Sequence, residues 1–302
     1  MFDSKTIYSN GKLLISGEYV VLDGAVSLAV PTKFGQFLNI IPIGEKRLVW
    51  TSLDEKSEVW FEGVFDIDLF SSEVDCEISQ RITQILKAAK DLNPSFLAST
   101  EGFHVSTKLD FPRNWGLGTS STLINNIAEW AGVDAFQLLE KTFGGSGYDI
   151  ACAQNNSAIT YQLENNTPFV LPVEFNPSFK NNLYFVHLNK KQNSREGIKQ
   201  YNETKVQSNF SVEEMNAITS EMISSDSLED FKALIVHHEN YISKITKQTP
   251  VKDLYFEDFE GAIKSLGAWG GDFILVASDE NPTSYFKAKG FHTIIPYRNM
   301  VL

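Results

Sequence analysis

The chain has 302 residues, 42% of them hydrophobic and 12% aromatic, which is globular material about twice as long as a typical domain of roughly 150 residues, so two domains are expected. A formal net charge of −12 excludes nucleic acid and anionic membrane as partners, since both call for clustered Lys and Arg. Cys76 and Cys152 form no metal or redox spacing, and "MFDSKTIYSNGK" has no apolar core of a signal peptide, so a reducing, cytoplasmic location is expected.

In chain order, "KLLISGEYVVLDG" and "VSLAVPTKFGQFLNIIPI" read as strand, turn and strand, rich in Val, Leu and Ile and punctuated by Gly and Asp-Gly. "RLVWTSL" and "EVWFEG" read as a further hairpin. "CEISQRITQILKAAKDLN" carries Ile78, Ile82, Ile85, Leu86 and Ala89 at helical spacing and stops at Asn-Pro. "GFHVSTKLDFP" alternates with period two and is closed by Pro112, so "PRNWGLGTSST" joins a strand to the helix "LINNIAEWA". "DAFQLLEKTF" is a short helix and "GGSGYD" a Gly-rich turn into "IACAQ". "SAITYQL", "FVLPVEF" and "NLYFVHL" follow as strands. The second half reads as the helices "SREGIKQYNETKV", "SVEEMNAITSEMI", "SLEDFKALIVHHENYISKI" and "YFEDFEGAIKSLG". Strand "FILVAS", a helix around "PTSYFKAKG" and strand "HTIIPY" complete the chain. This order predicts α+β packing rather than a parallel barrel, with a domain boundary at the Pro/Asn-rich junction Asn176–Asn182.

Four stretches could carry chemistry. In "PRNWGLGTSST", Gly116 and Gly118 let the backbone approach a ligand, and a helix N-terminus offers unpaired N–H groups that bind phosphate. Thr119, Ser120 and Ser121 add hydroxyls, but Ser and Thr also serve as ordinary N-caps, and both readings stay open. No Lys follows the second glycine, so this is not a Walker loop. Asp149 in "GGSGYDIACA" can orient or deprotonate a hydroxyl, or simply cap a helix. Lys12, entering the strand that Glu18 leaves, can neutralise phosphoryl charge or remain a solvated strand-end lysine. "KSLGAWGGDFILVAS" is a Gly-rich turn between a helix and a buried strand, or a plain C-terminal glycine cap. Other features read as structural: "HHEN" at His237–Asn240 lacks a zinc helix's second His, Cys152 reads as a small buried residue, and Trp50 and Trp60 as strand-packing aromatics.

Taken in order, these stretches resemble the GHMP kinase superfamily, which includes galactokinase, homoserine kinase, mevalonate kinase and phosphomevalonate kinase. Its first motif is similar to "GKLLISGEYVVLDG". Its second, Pro-x-x-x-Gly-Leu-Gly-Ser-Ser-Ala, matches Pro112, Gly116, Leu117, Gly118, Thr119, Ser120 and Ser121. Its third resembles Gly267, Ala268, Trp269, Gly270 and Gly271. The resemblance spans nearly the whole chain. It implies a two-domain α+β GHMP kinase fold, with a ribosomal protein S5 domain 2-like ATP-binding domain over 1–178 and a ferredoxin-like α+β domain over 179–302. It also implies a catalytic cleft between them, a Mg-ATP-dependent phosphotransferase, and a monomer or homodimer. Gly116, Leu117, Gly118, Thr119, Ser120 and Ser121 would hold the ATP phosphates, Gly267, Gly270 and Gly271 would support them, and Ser120 and Glu140 would ligate Mg2+. Asp149 and Lys12 would be catalytic.

For the acceptor, "GEY" (Glu18, Tyr19), "GSGYD" (Ser146, Gly147) and "GGD" are similar to the phosphomevalonate kinase branch. Lys190, Lys191, Ser194 and Arg195 stand where that branch has a segment near its acceptor, and a doubly anionic metabolite would need such a cluster; a solvated basic turn is the alternative. Mevalonate kinase is the runner-up, and a decarboxylase or a homoserine or sugar kinase fits less well. Trp269 departs from the family's usual glycine. It would either crowd the phosphate site or pack beneath the loop, so a non-catalytic nucleotide- or metabolite-binding protein of this fold stays open.

Overall fold

A computed structural model describes residues 3–191, 194–208 and 210–302. The chain forms two compact units, each built from separate pieces of sequence. The first comprises Met1–Gly11, Phe34–Arg113 and Leu117–Gln154, and the second Lys12–Lys33, Asn114–Gly116 and Asn155–Leu302.

Strands β1 (Lys5–Leu14) and β2 (Ser27–Ile43) contribute residues to both units. In the first unit β3 (Leu48–Leu53) and β4 (Val59–Phe65) form the expected hairpin, and β5 (Gly102–Leu109) lies between β3 and β2. β5 runs parallel to β3 and antiparallel to β2, in the register Gln36 opposite Leu109 to Ile43 opposite Gly102. Helix α1 (Glu77–Leu92) lies between β4 and β5 in sequence, a crossover of the kind a parallel pair needs. Its Ile82, Ile85, Leu86 and Ala89 are buried at helical spacing. They share a core with Leu38, Ile40, Trp50 and Val105 of the sheet and with Ile124 and Ile127 of helix α2 (Thr119–Ala131). Each such aliphatic side chain contributes about 1.5–3 kcal/mol by leaving water. Helices α3 (Ala135–Thr142) and α4 (Tyr148–Gln154) pack on α2, and α4 resolves "IACAQ" as helix.

In the second unit, residues Ser27–Ala29 of β2 pair with β6 (Ile159–Glu164), which turns back as β7 (Thr167–Pro172). The two turn residues, Asn165 and Asn166, have φ of 49° and 62°, the positive values a tight hairpin requires and Asn tolerates. A four-stranded antiparallel sheet follows, ordered β11 (Ile294–Pro296), β8 (Leu183–His187), β10 (Phe273–Ala277), β9 (Ala262–Ser265). Helices α5 (Ser194–Thr204), α6 (Val212–Ser224), α7 (Leu228–Thr246) and α8 (Val251–Tyr255) precede β9, and α9 (Thr283–Ala288) and α10 (Tyr297–Met300) flank β11. Ser211 and Ser227 cap α6 and α7, accepting from Glu214 N and Asp230 N.

Two expectations fail here. Lys12 does not enter a strand that Glu18 leaves: β1 ends at Leu14, so Lys12 stands near its end and Glu18 beyond it, in a turn where Gly17 and Tyr19 have φ of 84° and 63°, values no strand adopts. "YFEDFEGAIKSLG" is not a helix: α8 ends at Tyr255, and Ala262–Ser265 is strand β9. All four residues of β9 are buried, so the stretch shows neither the period of a helix nor that of a half-buried strand. Gly261 marks the break, because a Cβ there would sit 2.5 Å from Ala277 O.

Candidate active site

The hydroxyl cluster at the mouth of α2 separates into two kinds of residue. Gly118 occupies the N-cap with φ 92° and ψ 38°, a left-handed conformation that leaves the helix without a side-chain cap. Ser121 is buried and donates to Gly118 O at 2.8 Å, while Thr122 donates to Gln36 Oε1 at 2.8 Å. Those two hydroxyls serve the protein. Thr119 is half-buried and Ser120 exposed, so Ser120 is the hydroxyl presented to solvent beside the first-turn N–H groups.

Behind this helix mouth lies a polar network that the sequence reading missed. Asn126 and Asn125, buried on α2, meet Ser9 of β1: Ser9 Oγ donates to Asn126 Oδ1 at 2.7 Å and accepts from Asn125 Nδ2 at 2.8 Å. Asn126 Nδ2 donates to Gln36 O at 3.0 Å, and Gln154 Nε2 at the end of α4 donates to Asn125 Oδ1 at 2.9 Å. Consecutive asparagines in an otherwise apolar helix were the available signal. Because buried amides need partners, this network fixes α2 against β1, β2 and α4.

Asp149 stands in the first turn of α4, half-buried, after Gly144, Gly145 and Gly147 with φ of 63°, 109° and 87°. Its Oδ1 lies 3.1 Å from Ile150 N. Ser146 is half-buried and Gly147 buried in the same turn, and Glu140 lies exposed on α3. Trp50 is a core residue whose indole donates to Ser52 Oγ at 3.0 Å, whereas Trp60 is half-buried with the Arg113 guanidinium 3.8 Å from its ring centre.

The second unit holds Lys12, Gly116 and the third glycine stretch. Lys12 Nζ donates to Gly116 O at 3.0 Å. Gly116 has φ 67°, and a Cβ on it would lie 2.4 Å from Asp272 Cγ, so no other residue fits that strap unchanged. Asp272 is itself pinned: its N donates to Lys190 O at 2.6 Å and its O accepts from Leu188 N at 2.7 Å. The strap is further held by Trp115, which packs edge-on to Phe273 at 5.4 Å, and by His187, whose Nε2 donates to Asn114 O at 3.1 Å. Asn189 N donates to His187 Nδ1 at 3.3 Å, which fixes that tautomer.

In the third stretch Gly267 and Gly270 have φ of 59° and 77°, and Gly271 is buried. Trp269 also has positive φ, 54°, and its ring is packed inside, 1% exposed, with no acceptor for its indole N–H among the described residues. A backbone position suited to glycine thus carries an indole that fills interior space.

Glu18 is buried against Lys264 and His238. Burial alone would push its carboxyl up, but the Lys264 ammonium and the His238 imidazole outweigh that and hold it below its ordinary value. Tyr19, at φ 63°, stacks on Tyr201 of α5 with ring centres 5.4 Å apart, and a Cβ on Gly197 would come 2.4 Å from the Tyr19 hydroxyl oxygen. Lys190 and Lys191 are exposed. Ser194 and Arg195 lie in the first turn of α5, and their side chains fall outside what is described. Among the described residues no three His, Cys, Asp or Glu are grouped to hold a metal ion, and no helix is long and apolar enough to cross a membrane.

No family model and no curated protein matches the chain. Solved structures do. The Methanococcus jannaschii mevalonate kinase is 16% identical with a TM-score of 0.72, covering 97% of this chain and 97% of that one. The Lin0012 protein of Listeria innocua is 15% identical with a TM-score of 0.73 and the same coverage of both chains, 97%. The Streptococcus pneumoniae phosphomevalonate kinase in complex with phosphomevalonate and AMPPNP is 15% identical with a TM-score of 0.69, covering 99% of this chain and 98% of that one. With mixed helices and sheets and matches along almost its full length, this chain has the fold of the GHMP kinases.

Proposed function

We propose that the protein is a kinase that transfers the γ-phosphoryl group of Mg-ATP to a small anionic metabolite, with phosphomevalonate as the acceptor. The observation that carries this reading is the Lys12 ammonium seated on the carbonyl of Gly116, at the start of a glycine strap leading into an uncapped helix mouth. Phosphoryl transfer depends on positioning and on neutralising charge, and these groups suit both tasks. In this reading the N–H groups of Gly118, Thr119, Ser120 and Ser121 receive phosphate oxygens, Lys12 offsets the charge of the transferred group, and Asp149 orients the acceptor hydroxyl. Mg2+ keeps much of its shell on the nucleotide phosphates, so the exposed Ser120 hydroxyl, with Glu140 as a further ligand, is a donor set of the right chemistry. Residues 1–178 are assigned to nucleotide binding and 179–302 to the C-terminal domain.

Exposed Lys190 and Lys191 favour the more anionic acceptor, and Lys190 O is tied to the turn that faces Gly116. Mevalonate remains the second reading. The similarity of the Streptococcus pneumoniae structure, whose complex holds phosphomevalonate and AMPPNP, supports the choice without deciding it. The test is ADP release from Mg-ATP with each acceptor in turn. Release with phosphomevalonate alone is expected. Release with mevalonate alone would reassign the acceptor, and silence with both while Mg-ATP still binds would move the protein to the non-catalytic reading.

A further inference from the structure

Three charged or ionisable side chains at the heart of the second unit take no part in the reaction proposed above. Glu18, His238 and Lys264 are 1%, 0% and 0% exposed. Lys264 Nζ donates to Glu18 Oε1 and, at 3.0 Å, to Ser265 O. His238 Nε2 accepts from Gly17 N at 3.2 Å and so holds the turn after β1, and it lies 3.1 Å from Glu18 Oε2, an oxygen with no hydrogen-bond partner among the described residues. Next to it, Ser265 Oγ donates to the buried Glu239 at 2.6 Å and accepts from Val251 N at 3.1 Å. A buried ion pair gives little stability that apolar side chains of equal volume would not give, so its presence points to a task other than stability.

That task is legible from what the cluster joins. On one side is the turn after β1, where Gly17 and Tyr19 both have positive φ, 84° and 63°. Its backbone is held to β2 by Ile15 N and Ser16 N, both donating to Leu28 O at 2.7 and 3.2 Å. Upstream on β1 is Lys12. On the other side is Lys264 on β9, which leads through the buried Leu266 directly into Gly267 and the third glycine stretch. The far end of that stretch is Asp272, which fills the space beside Gly116, and Gly116 O receives the hydrogen bond from Lys12. The contacts therefore close a ring: Lys12, β1, Glu18, Lys264, the glycine turn, Asp272, Gly116 and back to Lys12.

We propose that Glu18, Lys264 and His238 form a positioning cluster that sets the spacing between the first strand and the third glycine turn, and so fixes Lys12 on the Gly116 carbonyl, the lysine that the kinase reading sets against the charge of the transferred phosphoryl group. Glu18 acts through Lys264 and His238 rather than by touching the acceptor. The inference rests on the kinase reading and deepens it.

The test uses the full chain and two variants, E18M/K264M and H238Q. The double variant replaces the ion pair by apolar side chains of similar volume, which such sites tolerate, and should melt within a few degrees of the native protein. H238Q keeps the ion pair. Mg-ATP affinity is measured by calorimetry alongside each melting curve. The expected result is a dissociation constant raised about tenfold in E18M/K264M at nearly unchanged Tm, with a smaller rise in H238Q. A purely structural pair would leave the affinity of a well-folded variant unchanged, so native affinity in whichever variant folds overturns the proposal. If the native protein itself fails to bind Mg-ATP, the kinase reading falls and this inference with it.

Discussion

Gly116→Ala is the substitution whose effect can be worked most directly from the structure. The new methyl group would arrive 2.4 Å from Asp272 Cγ and 2.6 and 2.7 Å from its two carboxylate oxygens. Asp272 cannot retreat as a whole, because its backbone is bonded on both sides to the Leu188–Lys190 segment. Relieving the overlap therefore means turning the carboxylate or lifting the strap, at a cost typical of overpacking, about 1–3 kcal/mol. The φ of 67° adds about 1–2 kcal/mol for any residue with a Cβ. Together these give about 2–5 kcal/mol, or a melting temperature lower by about 4–20 °C for a chain of this size. Lifting the strap would also draw Gly116 O away from Lys12, so Mg-ATP affinity should fall tenfold or more. Melting curves and nucleotide titrations of Gly116→Ala, Asp272→Ala and the double variant form a cycle. With Asp272→Ala as the baseline, adding Gly116→Ala should cost only the backbone share, about 1–2 kcal/mol. If Gly116→Ala is as destabilising without the Asp272 side chain as with it, steric conflict is not the reason glycine stands there.

Asp149→Asn should abolish turnover while leaving Mg-ATP affinity within about threefold, since the substitution removes a charge at the acceptor and not at the nucleotide; a variant with full turnover would remove Asp149 from the mechanism. Trp269→Gly should lower stability by about 1–4 kcal/mol, because losing a buried indole costs about 3–5 kcal/mol and relief of its positive φ returns only about 1–2. A rise in Tm would show that the ring contributes nothing to packing. The pH prediction follows from Glu18. Its folded carboxyl is held below the ordinary 4.5, so the stability it contributes is present above that pH and is lost as pH falls through the lowered value. The difference in urea midpoint between the native protein and Glu18→Gln should therefore be widest at neutral pH and shrink below about pH 4.5. A difference that is constant or growing toward acid would contradict the buried ion pair.

The elements legible in the sequence were those with a clear period. The half-buried strand β5 alternates in and out, and α1 repeats its apolar residues every three or four positions, so each announced itself. β9 did not, because burial on every side erases the alternation that distinguishes a strand. The discontinuity of the compact units was also invisible, since the piece 114–116 belongs with residues far downstream only through contacts such as Trp115 with Phe273. Sequence pattern reports local geometry, and these partners are set by tertiary packing.

The same distinction separates what could be read of the site from what could not. "GLGTSS" displays a helix mouth rich in hydroxyls, but residue type alone cannot say which hydroxyls face outward. In the fold, Ser121 and Thr122 are turned inward by Gly118 O and Gln36, and Ser120 is left exposed. Gln36, which holds Thr122, is itself bound through its carbonyl to Asn126 in the buried network with Ser9 and Asn125, and none of these residues carries a catalytic signature. Glu18 makes the same point, since residue type does not tell that its carboxylate is buried with its oxygens beside Lys264 and His238. A short stretch such as "GLGTSS" therefore specifies two things at once, groups turned to solvent and groups that hold the backbone behind them. Only the network of buried partners tells the two apart.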